Sequence, residues 1–182
     1  MANPFYGQNK ADNLVDKVKS LDKSVVSGSV LLAVTHTTNY DIAITQPAKS
    51  ILMDVILVND GAVVTNGNSG HDLDISMGAA SSYTDLMAAE ALLDDGGGAV
   101  TWSAKVPLPV IENGHGHAAN HFATGGIGPF GGPATTEAIV VAGALYSAAS
   151  RTVNIRFTPL TGDLTTAGTR ITAICVFQYI ST

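Results

Sequence analysis

A chain of 182 residues and 18.6 kDa is long enough to bury one core without covalent staples and too short for a second full-sized domain. Nine Lys and Arg against fifteen Asp and Glu give a net charge of -6 with no basic run to track a phosphate backbone, so no nucleic-acid partner is expected. With 46% hydrophobic and 13% charged residues and a lone cysteine, Cys175, the composition excludes a disulfide framework, a four-thiolate zinc site, a disordered chain and a charge-rich helical bundle.

Met1 to Lys23 form the first unit. They lack the apolar core of an export signal, and no eighteen-residue apolar stretch occurs anywhere, so neither export by a standard signal nor a membrane partner is expected. Lys10, Lys17, Lys19 and Lys23 are set against Asp12, Asp16 and Asp22, which makes this segment slightly basic on an acidic chain. Leu14, Val18 and Leu21 recur at helical spacing, a narrow apolar stripe that must pack on the body or on a neighbouring subunit. Residues 1–23 therefore read as an N-terminal arm, with residues 24–182 as a single domain.

From Val25 the pattern is β. Val25 to Val34, Tyr40 to Thr45, Ser50 to Val58, Asp72 to Ser76, Ala99 to Val106, Glu137 to Leu145, Arg151 to Phe157 and Thr169 to Ile180 are rich in Val, Ile, Thr and aromatics. Asp60-Gly61, Asn66-Gly67, Asp95-Gly96 and Asn113-Gly114 supply turns between them. These eight strands predict an all-β protein, an antiparallel β-sandwich of jelly-roll type. Ile51 to Val58 and Ile171 to Ile180 are largely apolar on both faces, and one sandwich core covers only one face, so the second cover is expected to be another subunit or an added segment, and the chain to be a homo-oligomer. Thr84 to Leu93 carries Leu86, Ala89, Glu90 and Leu93 at helical spacing, with Ser82 or Thr84 as cap and Asp94-Asp95-Gly96 as stop. One short inserted helix is predicted there.

Residues 106–137 hold Pro107, Pro109, Pro129 and Pro133 and are glycine-rich from Gly114 to Gly132, which predicts a long contact loop. Phe122 and Phe130 cannot be buried by such a segment alone and are its candidate anchors for a partner. Gly126-x-Gly128-x-x-Gly131 matches a dinucleotide fingerprint in letters only, since Pro129 and Pro133 forbid the helix that would hold a pyrophosphate. No phosphate-loop lysine and no Gly-x-Ser-x-Gly elbow occur.

The candidate metal ligands are His115, His117 and His121, because imidazoles at this spacing can bind zinc, nickel or iron and a His-x-His pair opens the cupin metal site. His121 stands where cupins place Glu, and no later glycine-rich motif supplies a last histidine, so the expected role is a polar rim on the loop, with no metal and no cofactor. Asp72 and Asp74 alternate with Leu73 and Ile75 and read as a wet strand face, not a carboxylate pair for glycoside hydrolysis. Cys175, between Ile174 and Val176, reads as core. No enzymatic activity is expected.

Three stretches carry a resemblance: Ser50 to Asn59 with the strand His71 to Gly78 after it, the Tyr83-Thr-Asp-Leu-Met87 segment, and Gly162 to Ile171 leading into the last strand. They resemble jelly-roll capsid cement or decoration proteins of tailed bacteriophages. The resemblance implies a structural virion protein, made in the host cytoplasm and located on the capsid surface, with the major capsid protein and further copies of itself, as a dimer or trimer, as partners. Leu14, Val18, Leu21, Phe122 and Phe130 are the partner-contact residues expected from the arm and the loop. A tail or fibre component is the alternative, and a carbohydrate-binding module or cupin-like metalloenzyme the alternative from another class.

Overall fold

The computed structural model describes residues 23–32, 38–65, 71–94, 101–112, 115–116, 145–160 and 168–180. In chain order the strands are β1 (Lys23–Leu32), β2 (Tyr40–Gln46), β3 (Ser50–Asn59), β4 (Val63–Val64), β5 (His71–Ala79) and β6 (Met87–Asp94). They continue as β7 (Thr101–Trp102), β8 (Leu108–Glu112), β9 (His115–Gly116), β10 (Tyr146–Ser147), β11 (Arg151–Pro159) and β12 (Thr169–Tyr179). Among the described residues there is no helix.

One sheet runs β1-β12-β3-β8-β9, with β10 also pairing on β3; the second runs β2-β11-β5-β6, and β4 and β7 form a small ribbon. The antiparallel pairs are nested: β1 with β12, β2 with β11, β3 with β8, and β5 with β6. A long hairpin folded on itself has this nesting, and β12 with β3 and β11 with β5 join its turns into two sheets. The order is that of a jelly roll, as the β-rich sequence predicts.

Alternation decides what lies between the sheets. In β12, Ile171, Ala173, Cys175 and Phe177 are buried, while Thr172, Ile174 and Val176 on the other face are half-buried. Leu52, Val55 and Leu57 of β3 meet Ile42 and Ile44 of β2, Val153, Ile155 and Phe157 of β11, and Leu73, Ile75 and Met77 of β5 in one core. At about 1.5–3 kcal/mol for each large apolar side chain buried, this cluster is the main favourable term in folding.

The inserted helix expected over Thr84 to Leu93 is corrected: residues 87–94 are β6, the inner arm of the hairpin with β5. The register between them shifts at His71/Leu73, Leu73/Asp74 and Ile75/Met77. The last two of these place an extra residue on β6 and break its two-residue period, so buried residues fall at Leu86, Met87, Ala91, Leu92 and Leu93 rather than on alternate positions. Ala, Leu, Met and Glu favour a helix locally, but pairing with β5 over a buried face outweighs propensity differences of tenths of a kcal/mol per residue.

The predicted loop over 106–137 is also narrower at its start, because β8 and β9 occupy part of it. Pro107 and Pro109 hide β8 from a sequence reading. Pro109 pairs opposite Ile56 where the register between Val55 and Ile56 shifts, the irregular position at which a strand tolerates a residue without an N–H. Lys23, assigned to the arm, is the first residue of β1. The strand expected over Glu137 to Leu145 lies outside the described residues apart from Leu145, and the pairing here begins at Tyr146.

Candidate functional site

Asp41, Arg156 and Tyr83 meet on the outer face of the four-stranded sheet. Arg156 on β11 lies directly across from Asp41 on β2, and its Nε and Nη2 donate to the two carboxylate oxygens at 2.8 Å each. Its guanidinium lies 3.3 Å from the centroid of the Tyr83 ring, a cation–π contact. The bond from Arg156 holds the Asp41 carboxyl below its ordinary range, and the bond to Asp41 raises Arg156 in turn.

The 80–86 connection that carries Tyr83 folds back over this sheet. Asn154 Nδ2 donates to the carbonyl of Ala80 and, at 3.5 Å, to that of Ser82, while the amide of Ala79 donates to Asp85 Oδ1 at 2.7 Å. Leu86 N donates to Met77 O at 3.1 Å, closing the flap on β5. This part of the outer face is therefore covered by the chain's own backbone.

Asp41 has a depressed folded-state pKa, so its contribution to stability is fully present above the unfolded value, 3.8, and is lost as pH falls through the folded value. The pair is about a third solvent-exposed, with side-chain exposures of 24% and 34%, so screening limits its worth to about 0.2–1 kcal/mol. Asp41→Asn should lower stability by that amount at neutral pH and flatten the loss below pH 4, measured by urea unfolding at several pH values.

The six-stranded sheet differs. Its outer face presents Val25 and Leu31 of β1, Ile174 and Val176 of β12, Ile56 and Val58 of β3, and Pro109 of β8; Val25 lies opposite Val176, and Ile174, Ile56 and Pro109 follow one another across the register. Val25 is 63% and Leu31 52% exposed, the most exposed large apolar side chains among the described residues. Covering them would return about 1–2 kcal/mol each. Around them lie Ser27, Ser29 and Thr172, with Arg170 directly opposite Leu31, Asp54 directly opposite Val176 and Lys23 at the start of β1, so the surface is an apolar strip edged by three charged side chains. Sequence reasoning took Val25 and Leu31 for ordinary strand residues, because which strand forms a sheet edge depends on pairing across the whole chain.

Of the expected metal ligands, His115 lies in β9 opposite Glu112 in register, while His117 and His121 lie outside the described residues. Among the described residues no group of three His, Cys, Asp or Glu converges as a metal set would. Leu14, Val18, Leu21, Phe122 and Phe130 also lie outside the described residues. Asp74 is half-buried on β5 between buried Leu73 and Ile75. Burial pushes the Cys175 thiol up to about 12, so at neutral pH it is a packed thiol and not a nucleophile.

Two buried amides tie the corners of the sandwich. Gln46 Nε2 donates to the carbonyls of Ser50 and Leu145 at 3.0 and 2.8 Å, and its Oε1 accepts from Arg151 Nε at 2.8 Å. Asn59 Nδ2 donates to Gly61 O and Trp102 O at 2.8 and 3.0 Å, fastening the end of β3 to β7. Their partners are main-chain carbonyls and one arginine of the same domain, which makes both amides structural.

No protein-family model matches the chain, and no curated protein matches it in sequence. Among solved structures it is similar to one described as "Cyanophage Pam1 capsid asymmetric unit", at 15% identity over 99% of this chain and 93% of that chain, with a TM-score of 0.42. At that score the jelly-roll assignment rests on the strand order, not on the superposition.

Proposed function

We propose that this chain is a structural virion protein, without catalytic activity, that binds the outside of a phage head and stabilises it by bridging subunits of the major capsid protein. The observation that carries the reading is the asymmetry of the two outer faces: part of one is roofed by the 80–86 connection, while the other presents an apolar strip with Val25 and Leu31 open to solvent. An assembly protein needs such a surface for a permanent partner, whereas an exposed apolar patch on a lone domain is a liability. The resemblance of Ser50 to Asn59 and of the strands after it to phage cement proteins supports the capsid as that partner. Leu14, Val18 and Leu21 of the arm and Phe122 and Phe130 of the loop are proposed as further contacts, and the protein is proposed to act as a homo-oligomer.

Fractionating particles of the phage that encodes the chain, followed by quantitative mass spectrometry, tests this. The reading expects the protein with DNA-filled heads at a fixed ratio to the major capsid protein. Recovery with tails and not with heads would overturn it.

A further inference from the structure

We propose that β1 is a self-pairing edge: two copies of this chain join antiparallel, β1 against β1, about a two-fold axis through Gly28, extending the six-stranded sheet across the dimer. The inference deepens the oligomeric part of the reading above by naming its interface.

Among the described residues β1 pairs only with β12, and it ends the strand order of its sheet. Its other edge presents the N–H and C=O groups of alternate residues along a ten-residue strand with no proline and one charged residue, Lys23 at the start. Monomeric proteins blunt such edges with charges, prolines or bulges, and the β1–β12 register is continuous throughout its length, without a bulge. The most exposed large apolar side chains among the described residues, Val25 and Leu31, stand on this strand and on the same, outer face.

The sequence of β1 selects one register. In an antiparallel pair, residues directly opposite project to the same face, so keeping both sandwich cores on one side requires outer residues to meet outer residues. With Gly28 opposite Gly28 of the second copy, Val25 faces Leu31 twice, Ser27 faces Ser29 twice, and Val26 faces Val30 on the inner side. Apolar meets apolar and hydroxyl meets hydroxyl at each of these positions, and only the end pair, Ser24 with Leu32, is mixed. Centring on Ser27 would set Leu31 against Lys23, and centring on Ser29 would set Leu31 against Ser27.

Gly28 also suits the axis. A Cβ there would lie 2.7 Å from Ile42 Cγ2 and 2.8 Å from Ile44 Cδ1, so the missing side chain lets β1 settle closely on β2 of its own sandwich. On the outer side, Val25 adjoins Val176 within its own chain, so pairing forms an apolar row from Val176 through Val25 to Leu31 of the second copy, bounded by Asp54 at one end and by Arg170 of the second copy at the other.

Charge exchange at the facing positions tests the pairing and its register together. Val25→Lys with Leu31→Lys, and Val25→Glu with Leu31→Glu, place like charges opposite each other at both ends. These variants should weaken self-association at least about 100-fold, since like-charge juxtaposition costs several kcal/mol and each 1.4 kcal/mol is tenfold. Val25→Lys with Leu31→Glu, and Val25→Glu with Leu31→Lys, place opposite charges together and should keep the dimer. Analytical ultracentrifugation from nanomolar to high micromolar concentration reads the association, and circular dichroism confirms the fold, which these exposed sites leave intact.

If all four variants stay associated, the β1 interface is overturned while an oligomer remains. If all four dissociate, the Gly28-centred register is overturned. A wild-type chain that is monomeric at every concentration overturns the pairing in favour of a partner strand on this edge, and head fractionation then decides the capsid reading separately.

Discussion

Phe157→Ala is expected to lower the free energy of unfolding by about 3–5 kcal/mol, a large part of what a domain of this size has in hand. Phe157 is fully buried in β11 at the centre of the four-stranded sheet, paired with Tyr40 on β2 on one side and Ile75 on β5 on the other. β-Strands around it are hydrogen-bonded on both sides, so they cannot collapse into the space left by a lost ring, and the cost combines transfer and cavity terms. Urea denaturation followed by tryptophan fluorescence measures it, since Trp102, the chain's sole tryptophan, is itself buried in the core. A change below 1 kcal/mol would mean that the two sheets do not enclose one packed core here.

Gly78→Ala should cost about 2–3 kcal/mol although it adds a single methyl group. A Cβ on Gly78 would overlap the backbone carbonyl of Ser82 and lie 2.5 Å from Tyr83 N, atoms that cannot move without lifting the 80–86 connection off β5. Lifting it would also strain the Asn154 bonds to Ala80 and Ser82 and withdraw Tyr83 from Arg156. Gly28→Ala is the informative comparison. Its added Cβ meets side-chain atoms and not backbone: Ile44 Cδ1 is a far end that can rotate, Ile42 Cγ2 moves only with its χ1, and alanine is the better strand residue, so the loss should be smaller. Thermal unfolding of the two variants side by side tests the ranking; equal losses would show that the 80–86 connection does not rest on Gly78.

The principal strands were legible because Val, Ile and Thr cluster between turn residues, and β2, β3, β11 and β12 fall within a few residues of where those clusters place them. Cys175 and the buried face of β12 could be read in the same way. β6 was not legible, because its register shifts against β5 erase the two-residue period and leave Leu86, Ala89, Glu90 and Leu93 imitating a helix. β8 was hidden by its prolines. The Asp41–Arg156–Tyr83 cluster joins positions far apart in the chain, and only the β2–β11 register brings the first two opposite each other. For the same reason Val25 and Leu31 read only as strand residues from sequence: a strand becomes an edge through the pairing of all the others. Histidine spacing drew attention to His115, His117 and His121, but spacing alone does not tell a ligand set from a polar turn.

The most direct measurement of the central claim is reconstitution. Heads of the encoding phage, prepared without this protein, would be titrated with the purified chain, and both occupancy and the temperature of genome release would be followed. A structural protein that bridges capsid subunits should bind saturably at a fixed number of copies per head and raise the release temperature in step with occupancy. Heads that bind none of the protein, or that bind it to saturation with no change in release temperature, would contradict the account.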